Sequence, residues 1–142
     1  VSVFADQDRD ALRAAYREAW RKWCERVPMQ PLEAQIADVI ALHPEYHGLL
    51  QSDPGIQQDF APRDGRDNPF LHMGLHLALR EQLSTNRPAG IAAIHRRLAL
   101  SLDSGHAAEH RMIEVLADVL WEAQRGGQRG QDLLYLERLR RL

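Results

Sequence analysis

A chain of 142 residues with 44% hydrophobic and 27% charged residues has the length of one ordinary domain, large enough to bury about two-thirds of its unfolded surface without staples. Its formal net charge of −2 excludes the clustered-cation footprint of a nucleic-acid binder, and no apolar run reaches the roughly 18–20 residues that cross a bilayer. The opening Val-Ser-Val-Phe-Ala-Asp carries no export signal, so a cytoplasmic protein with neither nucleic-acid nor membrane partners is expected, its oligomeric state open.

Apolar residues recur at three- and four-residue spacing while alternating β-branched runs are missing, which predicts an all-α fold. We expect a single-domain helical bundle over residues 1–142, with about five or six helices. The first runs over about 6–25, with Leu12, Tyr16, Ala19, Trp20 and Trp23 on its apolar side and Cys24 as a buried thiol. Pro31 suits the first turn of a second helix whose inner stripe is Leu32, Ile36, Val39, Ile40 and His43. Pro44 ends or kinks it and can open a short helix through Glu45-Tyr46-His47-Gly48-Leu49-Leu50.

Residues 52–67, rich in Asp, Gly, Pro and Gln, read as the longest loop. Asn68 followed by Pro69 is a helix start with a mechanism, because Asn caps an orphan amide and Pro tolerates the first helical position. This third helix is predicted to reach about residue 83. A fourth begins at Arg87-Pro88 and ends near 102; a fifth, capped by Asp103 or Ser104, ends at Gly126-Gly127; a short terminal helix starts at Gln131. Its basic end, with Arg138, Arg140 and Arg141, places cations where the helix dipole favours them.

Six of the seven histidines fall into pairs four residues apart: His43 with His47, His72 with His76, His106 with His110. Random placement would give about 0.3 such pairs, so three require a cause. On a helix this spacing stacks two imidazoles on one face, from which both can converge on one cation. In the third helix His72, His76, Leu79 and Leu83 share a stripe, and in the fifth His106, His110, Ile113, Ala117 and Leu120 do, so both pairs look inward. Pro44 makes the relative direction of His43 and His47 less certain. Buried imidazoles resist protonation and remain available as ligands.

Glu114, one turn beyond His110, is the carboxylate expected to join the histidines as a ligand. The string His106-Ala107-Ala108-Glu109-His110 matches the His-x-x-Glu-His of one metalloprotease class, but a small helical domain has little room for a protease cleft. Glu109 remains a candidate general base or hydrogen-bond acceptor beside the ligands. No Glu-x-x-His occurs, which argues against the ferritin-like di-iron plan. Trp121 reads as core or pocket wall, Arg80 as solvated, paired or anion-binding, and His95 as a core residue held by one hydrogen bond.

The strings Leu42-His43-Pro44-Glu45-Tyr46-His47, Asn68-Pro69-Phe70-Leu71-His72-Met73-Gly74-Leu75-His76-Leu77-Ala78 and Trp121-Glu122-Ala123-Gln124-Arg125 give the chain its resemblance to a family of small bacterial proteins described as a domain of unknown function. The resemblance spans nearly the whole chain. The histidine spacing also resembles that of hemerythrins, whose helices bring His-x-x-x-Glu and His-x-x-x-His pairs to two irons; here His-x-x-x-His occurs three times and no late His-x-x-x-x-Asp follows. That analogy implies architecture alone.

The residues together predict a histidine-rich mono- or dinuclear site for a divalent transition metal, Fe or Zn foremost, with His43, His47, His72, His76, His106, His110 and Glu114 as ligands. An open coordination position would allow metal-dependent hydrolysis or oxygen and peroxide chemistry on a substrate the sequence does not name. The alternative is a metal-free structural or interaction module whose histidines pin the core through Glu45, Tyr46, Glu81 and Glu109.

Overall fold

The computed structural model describes residues 3–52, 68–126 and 131–142, and all regular structure among them is helical. Seven α-helices and one 3-10 turn are present: α1 (Val3–Glu25), α2 (Pro31–Ala41), the 3-10 turn Pro44–Tyr46, α3 (His47–Leu50), α4 (Pro69–Thr85), α5 (Ile91–Leu102), α6 (Gly105–Gly126) and α7 (Gln131–Arg140). Among the described residues the count of seven exceeds the five or six expected, and the short helix expected over 45–50 appears as the 3-10 turn followed by α3. The loop predicted over 52–67 lies outside the described residues except for Ser52. No described helix is long and apolar enough to cross a membrane.

The chain divides into two compact units, Val1–Gly74 and Leu75–Leu142, with the boundary inside α4. In the first, α1 and α2 pack through Tyr16, Ala19, Trp20, Ile36, Ala37, Val39 and Ile40, all buried. Glu33 fixes the start of α2 by accepting the Gln30 backbone N–H at 2.9 Å, and Lys22 pairs with the same carboxylate at 2.7 Å. Leu12 and Leu32, expected inside, are 52% and 62% exposed. The last turn of α1 also runs past its covering side chains: Trp23 is 42% exposed and Cys24 is exposed, not a buried thiol.

Asn68 caps α4 as expected, its Oδ1 accepting from the amides of Phe70 and Leu71 at 3.0 and 3.3 Å. In the second unit the core gathers Leu79 of α4, Ile91, Ile94 and Leu98 of α5, Met112, Ile113, Leu116 and Val119 of α6, and Tyr135, Leu136 and Leu139 of α7. Full burial of each such aliphatic side chain contributes about 1.5–3 kcal/mol. Tyr135 keeps its hydroxyl satisfied by donating to Gln82 Oε1 at 2.8 Å, while burial pushes its phenol pKa up. α5 starts at Ile91, later than Pro88, with Asn86 Oδ1 accepting from Gly90 and Ala92 amides, both at 3.1 Å.

The buried face of α6 is rotated from the expected stripe. Ala108, Glu109, Met112, Ile113, Leu116 and Val119 are inside, His106 and His110 are half-buried at the edge, Leu120 is 44% exposed and Trp121 is 58% exposed. The expectation that Trp121 lines the core or a pocket is thereby corrected. Both stripes obey helical spacing; the true one carries larger apolar side chains but includes Glu109 near its start, which disguised it.

Candidate metal centre

Within Val1–Gly74 the local break at Pro44 sets the geometry. A residue preceding proline is disfavoured in helical backbone, and His43 leaves α2 with φ −127° and ψ 71°. Its ring turns back along the helix, where Nδ1–H donates to the Val39 carbonyl at 2.7 Å. A carbonyl only accepts, so the neutral ring carries its proton on Nδ1 and presents a bare Nε2. That Nε2 lies 3.1 Å from His72 Nε2, with the two rings nearly perpendicular at 80°. Such a separation suits a hydrogen bond donated by His72, and equally two nitrogens each about 2.0–2.1 Å from a shared ion. The Tyr46 ring lies parallel to His43 at 5.3 Å. His43 is buried and His72 half-buried.

His47 is engaged differently. Its Nε2–H donates to the Ile40 carbonyl at 2.9 Å and its ring packs on Trp20, with centroids 4.2 Å apart. This adds a second donor to a carbonyl at the helix end that already accepts the His43 backbone N–H at 2.9 Å, a structural use of a histidine. It belongs to no group of converging donor atoms among the described residues.

Within Leu75–Leu142 the site is built by α4 and α6. Ser104 starts α6 by accepting the Ala107 amide at 3.0 Å, and so sets the rotational phase in which His106, Glu109 and His110 share one side of its first turns. His76, fully buried on α4, lies beside His106 with parallel rings at 5.4 Å and beside His110 at 4.9 Å. His106 and His110 are 4.3 Å apart. Donor atoms of His76, His106 and Glu109 lie within 4.8 Å of one another.

Glu109 is 6% exposed and has both oxygens engaged. Oε2 accepts from His76 Nδ1 at 3.1 Å; Oε1 accepts from Arg80 Nε at 3.1 Å, with Arg80 Nη2 3.5 Å from Oε2. Burial opposes ionisation of this carboxyl, but the His76 hydrogen bond and the Arg80 guanidinium outweigh it, holding the pKa below the ordinary carboxylate value. Glu109 is therefore anionic at neutral pH. So clamped, it is poorly placed to receive a substrate proton, and its chemistry is that of a partner to His76.

Glu114, the carboxylate expected to ligate, is exposed and joins no group of converging donors. Four residues beyond His110 is helical spacing, but the face that turns inward contains Glu109, and Glu114 follows it by five. The sequence had singled out His76, His106, His110 and Glu109, which come together in one unit, and His43 and His72, which meet in the other. It missed the Val39 carbonyl as the anchor of His43, for which the His-Pro junction at a helix end is the available signal. It also missed Arg80 as the counter-ion of Glu109, for which no local spacing rule exists. His95 keeps one hydrogen bond, to the Gly105 carbonyl at 3.3 Å, but is half-buried and not the core residue expected.

A chain that is all-helical among the described residues and collects imidazoles beside a clamped carboxylate is geometrically compatible with a transition-metal site, since imidazole suits Zn, Fe, Ni and Cu. The chain belongs to the family described as Domain of unknown function (DUF1841), which it matches over residues 8–141. No curated protein and no solved structure matches it.

Proposed function

We propose that the protein binds a divalent transition metal, zinc or iron foremost, through the imidazoles of His76, His106 and His110. The observation that carries this reading is the gathering of three rings, at 4.3–5.4 Å between centroids, with donor atoms of His76 and His106 within 4.8 Å of each other, beside a carboxylate already committed to His76 and Arg80. Three nitrogen donors are the ligand count of sites that keep a further position open. There the ion would activate water for hydrolysis or, as iron, support oxygen or peroxide chemistry. The Nε2 atoms of His43 and His72 are a further pair of donors within Val1–Gly74.

The test is metal analysis of untagged protein purified without chelator, followed by titration of the metal-free chain with Zn²⁺ and Fe²⁺. The expected result is stoichiometric metal, lost in the H106A/H110A double variant. Neither native metal nor uptake on titration would sink the proposal and favour a metal-free interaction module, for which the carbonyl-bound rings of His47 and His95 speak. A structural ion would lower the melting temperature when chelated; a catalytic one would chiefly abolish turnover.

A further inference from the structure

We infer that Glu109 is a positioning residue and not a ligand: it fixes His76 in the Nδ1–H form, so that Nε2 is presented to the ion, while Arg80 holds the carboxylate in place. The inference rests on the metal-binding reading above and assigns the division of labour within that site. An ionised carboxylate only accepts hydrogen bonds, so at the 3.1 Å contact with Glu109 Oε2 the ring nitrogen must be the donor. In a neutral imidazole the proton then sits on Nδ1, and the lone pair left for a metal is on Nε2.

The alternative, that Glu109 itself ligates, fits its surroundings less well. Arg80 meets Oε1 at 3.1 Å and approaches Oε2 at 3.5 Å, while His76 takes Oε2, so ligation would require one of these bonds to be surrendered in a buried place. Arg80 would then lose part of its counter-ion at 19% side-chain exposure, a costly exchange. With the pairings intact the carboxylate orients the ring and raises its basicity, the usual service of an acid group behind a ligating histidine. His43 reaches the same protonation state against the Val39 carbonyl. At His76 a side chain does the work, so it can be tested by substitution.

The first measurement needs neither metal nor variant. Long-range ¹H–¹⁵N correlation spectra of the metal-free chain, at a pH where the rings are neutral, distinguish protonated from bare ring nitrogens. The expected spectrum shows His76 with Nδ1 protonated and Nε2 bare; a protonated Nε2 overturns the inference. The second compares E109Q and E109A by metal titration. Gln retains a carbonyl oxygen that can accept from Nδ1–H, so E109Q is expected to keep the His76 tautomer and most of the affinity. E109A is expected to lose the tautomer preference and about 10–100-fold in affinity. Equal loss in both variants, with the His76 tautomer unchanged, would make Glu109 a ligand and overturn the inference. A chain with the expected tautomer that takes up no metal would instead sink the metal-binding reading while the assignment of the ring proton stood, so the two failures are distinguishable.

Discussion

His43 and His76 are both fully buried and both set Nδ1 against an oxygen acceptor, yet they are held by different means. The backbone of α2 holds His43, through the Val39 carbonyl; a carboxylate that a guanidinium holds in turn fixes His76. The first arrangement follows from a helix ending at proline and uses an acceptor that would otherwise need water. The second concentrates an ion pair in the interior and depends on three side chains keeping their places. The backbone-held histidine should therefore tolerate change around it, while the side-chain-held one should be sensitive to single substitutions at distance.

The largest effect is expected where that network is cut. E109A removes the carboxylate that pairs with both the Arg80 guanidinium and His76 Nδ1 in a buried place, which should cost about 2–4 kcal/mol in the metal-free chain, read by chemical denaturation. No side-chain substitution can remove the Val39 carbonyl in the same way. H43A should instead leave that carbonyl unsatisfied and a cavity beside it, at about 1–3 kcal/mol. A loss for H43A as large as for E109A would erase the contrast.

A smaller loss is expected at His47. Its bond to the Ile40 carbonyl and its packing on Trp20 together account for about 1–2 kcal/mol, so H47A should lower stability while metal stoichiometry stays that of the unaltered chain. Loss of metal in H47A would bring it back among the ligands. This variant also separates the two uses of histidine in one stretch, since His43 and His47 differ by four residues yet present opposite ring nitrogens to backbone carbonyls.

The pH dependence of the metal-free chain sharpens the comparison further. The folded-state pKa of Glu109 is held below its ordinary value of 4.5, so its contribution is fully present above that value and is lost as pH falls through the depressed folded pKa. Thermal midpoints should hold from neutrality to about pH 5 and then fall, and E109Q should flatten that fall. An acid limb of equal steepness in E109Q and the parent chain would mean that other carboxylates set it.

Much of this was readable from residue order, for physical reasons that differ by element. Asn68-Pro69 and Ser104 state helix starts in local chemistry and their caps form as written. Pairs of histidines at helical spacing disclosed an interior use of imidazole because so few chance pairs are expected. What hydrophobic periodicity could not settle was the rotation of α6, since two stripes one residue apart obey the same period. A glutamate stands in the apolar one, and it is tolerated inside because Arg80 and His76, far away in sequence, compensate it. That compensation is a tertiary fact, which is why Glu114 looked the better ligand and Trp121 looked buried.

The smallest expected effect tests that rotation. Trp121 is 58% exposed, and the inward face of α6 passes through Met112, Leu116 and Val119 instead. An aromatic side chain on the core face would cost about 3–5 kcal/mol on truncation, whereas an exposed one should cost no more than about 0.5 kcal/mol. W121S should therefore fold with nearly the stability of the parent chain and bind metal equally well. Because Trp121 follows Glu109 by twelve residues, at 100° per residue it stands about 120° around the helix from that carboxylate. A destabilised W121S would return the core face toward His106 and His110 and move Glu109 outward, and with it the hydrogen bond on which the orientation of His76 depends.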